Sequence, residues 1–75
     1  MRTTTDFMEE MKMLELESFK KRVIKDATWV REQWHLGENY FVHQIVSLRD
    51  AERLAKNYGF NEKELKEFVR NEYYI

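Results

Sequence analysis

SLRDAERLAKNYGFNEKELKEFVRNEY, residues 47–73, carries two helical patterns separated by one glycine. Ser47 and Asp50 have the spacing of a capping box, in which a hydroxyl and a carboxylate satisfy the orphan N–H groups of a first turn. Leu48, Ala51, Leu54, Ala55 and Tyr58 then recur at intervals of three and four, so one helical face is apolar. Gly59 follows at the position where a helix ends in the left-handed region, a conformation glycine enters without a Cβ penalty. Phe60 is placed to fold back on that helix. Asn61 and Glu64 repeat the capping-box spacing and open another helix, with Leu65, Phe68, Val69 and Tyr73 facing inward. Glu52–Lys56 and Glu62–Lys66 are i,i+4 pairs of favourable orientation on the outer faces.

Working upstream, Asp6 and Glu9 form a further capping-box pair. Behind them run Met11, Leu14 and Ser18 and, offset, Leu16, Phe19, Val23, Ala27, Val30 and Trp34, again at helical period. Asp26 can cap a second helix from Ala27, and a break is expected there. His35-Leu36-Gly37-Glu38-Asn39 reads as a turn in which Gly37 takes positive φ. Tyr40–Val46 has strand-like composition, but a lone strand leaves its backbone groups unpaired, so the segment is read as a short buried helix. The expected fold is all-α: a single domain over residues 1–75, a compact four- or five-helix orthogonal bundle ending in a helix-turn-helix.

Composition bounds the function. A chain of 75 residues buries only about 60% of its unfolded surface, so its stability is marginal and a shared interface would help. The two Trp, four Tyr and five Phe supply large buried areas per side chain. Without cysteine there is no disulfide, thiolate metal site or thiol nucleophile, which fits a reducing cytoplasm. No stretch approaches the roughly 18 apolar residues of a membrane span, and a net charge of −1 argues against a dedicated polyanion binder.

Chemistry-bearing motifs are scarce. His35 and His43, with Glu38 between them, nominate no further metal ligand, and no phosphate-binding glycine loop or activated nucleophile occurs. The chain is therefore read as non-catalytic, with no cofactor and no metal. Lys20, Lys21, Arg22, Lys25 and Arg31 concentrate positive charge, interrupted by Asp26, whereas residues 1–17 hold Asp6, Glu9, Glu10, Glu15 and Glu17 against Arg2 and Lys12. The bland account of the basic run is the wet face of an amphipathic helix; the functional one is a contact surface. Trp29 lies off the Val23–Ala27–Val30 stripe, where exposure would make it an anchor beside Lys25 and Arg31. Lys20, Lys21, Arg22, Lys25, Trp29 and Arg31 are the candidate partner-binding residues.

Ala55, Gly59 and Leu65 also have the spacing of a DNA-binding helix-turn-helix. Its second helix would present Asn61, Lys63, Lys66 and Arg70, but Glu62 and Glu64 in the first turn repel phosphate.

Leu54-Ala55-Lys56-Asn57-Tyr58-Gly59-Phe60 with Glu64-Leu65, and Phe19, Val23, Asp26 and Trp29 upstream, together resemble the Nif-type leader-peptide domains associated with nitrogen-fixation genes, over about residues 16–69. The resemblance implies a compact helical module that docks on a peptide-modifying enzyme and carries no catalytic residue. The leading expectation is a protein–protein interaction module (accessory, docking or inhibitor protein) whose partner is another protein, with a homodimer left open. The alternatives are a DNA-binding regulator and a structural subunit of a larger assembly such as a viral particle.

Overall fold

A computed structural model describes residues 4–33 and 40–74. Among them are three helices, α1 (Thr4–Glu32), α2 (Tyr40–Tyr58) and α3 (Glu62–Tyr73), and no strand. The expected four- or five-helix bundle is therefore corrected to three helices. Asp26 and Ser47 have capping chemistry, but each lies in mid-helix, and Asp6 lies inside α1 rather than before it. A cap side chain stabilises a helix start without creating one. The only glycines are Gly37 and Gly59 and there is no proline, so neither breaker interrupts α1 or α2. The expected turn at His35–Asn39, and Trp34, fall outside the described residues.

Tyr40–Val46 is helical, but as the first two turns of α2 rather than a helix of its own. Nor is the segment buried: Phe41, Val42, Ile45 and Val46 are exposed, while His43 and Ser47 turn inward. These turns are inverted relative to an ordinary amphipathic helix, and the polar pair inside is the reason, as described below.

The α2–α3 connection matches the residue pattern closely. Gly59 has φ 75°, the one positive φ among the described residues, and its N–H donates to the Ala55 carbonyl at 2.9 Å. Phe60 folds back so that its ring centroid lies 6.3 Å from that of Tyr58. Asn61, in extended conformation, caps α3 by accepting from the Glu64 N–H at 3.1 Å, an arrangement worth about 1 kcal/mol over alanine. Glu62 and Glu64 in the first turn and Arg70 in the last complement the helix dipole.

The core draws on all three helices: Phe19, Val23, Ala27 and Val30 from α1, Ala51 and Leu54 from α2, Leu65, Val69 and Tyr73 from α3. Full burial of each larger side chain contributes about 1.5–3 kcal/mol. Ala27 and Ala51 are small and fully buried, which lets the helices approach. Of the two offset sets in α1, the set with Phe19, Val23, Ala27 and Val30 faces inward, with Leu16 packed against it. Met11, Leu14 and Ser18 are exposed. At about 1.5 Å per residue α1 is roughly 43 Å long, yet its buried residues all lie between Phe19 and Val30. Residues 7–18 of α1 thus contribute no fully buried side chain, only the packing of Leu16 against the core, and the molecule measures 53 × 19 × 15 Å.

Candidate functional site

Where the three helices meet, a polar cluster lies at the edge of the apolar core. His43 Nδ1 approaches both carboxylate oxygens of Asp26, at 2.9 and 3.0 Å. The Tyr73 phenol donates to Asp26 Oδ2, and Ser47 Oγ lies 2.9 Å from the Tyr73 oxygen. Proton counting gives the directions. An ionised carboxylate only accepts, so Nδ1 of His43 carries a proton; the phenol proton goes to Asp26, so Ser47 must donate to the phenol oxygen. Each helix contributes: Asp26 from α1, His43 and Ser47 one turn apart on α2, and Tyr73 from the last turn of α3.

Asp26, His43 and Ser47 contain the residue types of a hydrolytic triad, but they are wired differently. Ser47 gives its proton to a phenol, whereas a nucleophilic serine needs its hydroxyl on an imidazole nitrogen. The Tyr73 phenol is held well above its ordinary value of 10.0, first by burial and then by the carboxylate that accepts its proton. It is a structural donor near neutral pH. No buried side-chain N or O among the described residues lacks a partner, as a buried polar network requires.

The indole of Trp29 lies beside this cluster, its ring centroid 5.5 Å from that of His43. Beside it a groove of about 350 Å³ runs between α1 and α2, lined among others by Arg22, Val23, Val42, His43, Val46 and Asp50.

The six candidate partner-binding residues do not form one surface. Arg22 points toward α2, 3.6 Å from Asp50, which also holds Arg53 at 3.1 Å. Lys20 lies over the Phe68 ring of α3, 5.7 Å from its centroid. Arg31 donates to the Glu72 carbonyl at the end of α3. Lys21, Lys25 and Trp29 remain together on the outer face, with Trp29 47% exposed. Tyr74, just past the end of α3, is exposed.

The DNA-contact candidates are also partly committed. The Asn61 side chain caps α3. Lys66 pairs with Glu52 at 2.8 Å and with Glu62 at 3.9 Å, which raises the Lys66 pKa and lowers that of Glu52. Glu52 thus turns to α3 rather than to Lys56. Lys63 and Arg70 are exposed beside Glu62, Glu64 and Glu67. Among the described residues there is no group of three or more His, Cys, Asp or Glu able to hold a metal, and no helix long and apolar enough to cross a membrane.

A second feature escaped the residue reading: the outer face of the α1 overhang is apolar. Phe7 is 58% and Met8 64% exposed, and Met11 and Leu14 continue the stripe. The signal was present in the offset between the two apolar sets of α1, since one helix cannot bury both phases against two neighbours.

No family model matches the chain, and the searches of curated proteins and of solved structures return no match. The likeness to Nif-type leader domains therefore rests on the residue pattern alone.

Proposed function

We propose that this chain is a small protein–protein interaction module, an accessory or docking protein with no catalytic chemistry of its own. The observation that carries the reading is the exposed apolar face of α1, Phe7, Met8, Met11 and Leu14, ahead of the three-helix core. Contiguous apolar surface of this kind marks interaction sites in soluble proteins. Methionine adapts its shape to a partner, and the half-exposed Trp29 supplies a large anchor on the same helix. The wiring of Ser47 to Tyr73 rather than to an imidazole supports the absence of catalysis.

The test is affinity capture with the full chain as bait, in parallel with a Met11→Glu/Leu14→Glu variant. A single protein retained through moderate salt by the parent bait and lost by the variant supports the reading. A parent chain that stays a monomer and retains nothing refutes it.

A further inference from the structure

The outer face of α1 has an internal symmetry. Phe7, Met11, Leu14, Ser18, Arg22, Lys25 and Trp29 are all exposed. At about 100° per residue they fall within one narrow stripe along the helix. Their spacing is a palindrome about Ser18: Leu14 and Arg22 lie four positions to either side, Met11 and Lys25 seven, Phe7 and Trp29 eleven. The two halves differ in character. The amino-terminal half is apolar and flanked by Glu15 and Glu17; the carboxy-terminal half is basic, with Lys21, Arg22 and Lys25, and ends on the Trp29 indole.

From this we infer that the partner of this face is a second copy of the chain, bound as a two-fold symmetric dimer in which the two α1 helices pack antiparallel with Ser18 at the dyad. The inference rests on the interaction reading above and names its partner. A two-fold interface must be self-complementary, and the palindromic spacing meets that requirement in one register. Phe7 of each copy lies against Trp29 of the other, beside the Val42 and Val46 edge of the α1–α2 groove. Leu14 packs on the aliphatic stem of Arg22, and Met11 on that of Lys25. Glu17 faces Lys21, while Arg22 keeps its guanidinium on Asp50 of its own chain and offers only its stem. A parallel pair would set acids against acids and bases against bases, so charge selects the antiparallel arrangement. Ser18 at the crossing is small enough for the helices to close. Most of the apolar stripe that α1 leaves uncovered in one copy is then covered in two.

The chain has no cysteine, so single-cysteine variants report proximity without background. The experiment is mild oxidation of the full-length Ser18→Cys variant beside a Glu67→Cys control on exposed α3, with sedimentation equilibrium on the parent chain. The expected result is a parent dimer and rapid, near-complete disulfide cross-linking of Ser18→Cys but not of the control. Leu14→Glu, present twice per dimer, raises the dissociation constant by about a hundredfold or more. Should that variant lose its helical circular dichroism, a charge swap decides instead: Glu17→Lys weakens the dimer, and adding Lys21→Glu restores it. A parent that sediments as a monomer overturns the inference, as does a dimer in which Ser18→Cys cross-links no faster than the control. If the monomeric parent still captures a different protein in a Met11- and Leu14-dependent manner, the dimer is refuted and the interaction module stands.

Discussion

Tyr73 and Asp26 stand 47 positions apart and are joined by one hydrogen bond, donated by the phenol of α3 to the carboxylate of α1. That bond, with His43 and Ser47 on its two sides, ties all three helices together through side-chain polar groups. The arrangement accounts for the inverted start of α2: His43 and Ser47 face inward because their partners are there, which leaves Val42, Ile45 and Val46 facing out.

Tyr73→Phe removes the shared link while keeping the ring volume. Ser47 loses its acceptor and Asp26 one of its donors, so the expected cost is about 1–3 kcal/mol, read from urea unfolding followed at 222 nm. Ser47→Ala costs less, since it strands no carboxylate. Once the phenol is gone the serine hydroxyl has nothing to donate to, so the double variant falls short of the sum of the two singles. Strict additivity would show that the hydrogen bonds are not coupled.

Stability declines on the alkaline side, and Tyr73 is a main cause. Its pKa is raised above 10.0 in the folded chain, so the folded state holds a proton that the unfolded state releases. The contribution is fully present below pH 10 and is lost as pH rises from there through the folded-state value. Lys66, raised above 10.5 by its pairing with Glu52, acts with the same sign. Glu52, lowered below 4.5, acts at the other end: its contribution is present above that value and disappears as the solution is acidified. Glu52 is exposed and Lys66 only partly buried, so screening by water and salt keeps their share small. Unfolding free energies measured between pH 8 and about 11.5 are therefore expected to fall more steeply for the parent chain than for Tyr73→Phe. Equal slopes would remove Tyr73 as the cause.

The carboxy-terminal half was legible because its signals are local. Gly59 at positive φ, Asn61 as a cap and the inward set Leu65, Val69 and Tyr73 all follow from neighbours in the chain. The misreadings share one origin. Capping chemistry nominates Asp26 and Ser47 as helix starts, since short polar side chains favour caps, whereas their partners lie on other helices at long sequence separation. Tertiary context likewise turns Val42 and Ile45 outward and sends Arg22, Lys20 and Arg31, neighbours in the basic run, each to a different group. Periodicity shows that α1 has two apolar phases; only the packed helices show which is buried.

Gly59 offers a clean test of backbone strain. A Cβ built there meets nothing within 4 Å, so Gly59→Ala introduces no clash, and its penalty comes only from holding alanine at φ 75°. The expected loss is about 1 kcal/mol, within the usual cost of the left-handed region. Gly59→Asn, which tolerates that region better, is expected to recover part of it. If thermal or chemical melts place alanine level with glycine, the turn has relaxed to another conformation and the helix stop at Gly59 is not required.

Arg31 separates the two readings of the basic run. Its guanidinium donates to the Glu72 carbonyl in the last turn of α3, where carbonyls lack intrahelical partners and the dipole favours a cation. It therefore anchors the turn that carries Tyr73, and its role is in the fold. Arg31→Ala is expected to destabilise the chain by about 1 kcal/mol and to lower amide-exchange protection in the last turn of α3. Lys21, exposed and on the outer face, behaves oppositely: in a Leu14→Glu background, which removes any contribution of the proposed dimer, Lys21→Ala should leave stability within about 0.5 kcal/mol. Loss of α3 protection in both variants alike would mean that the basic run acts through its summed charge, and the specific contact between Arg31 and Glu72 would lose its assigned role.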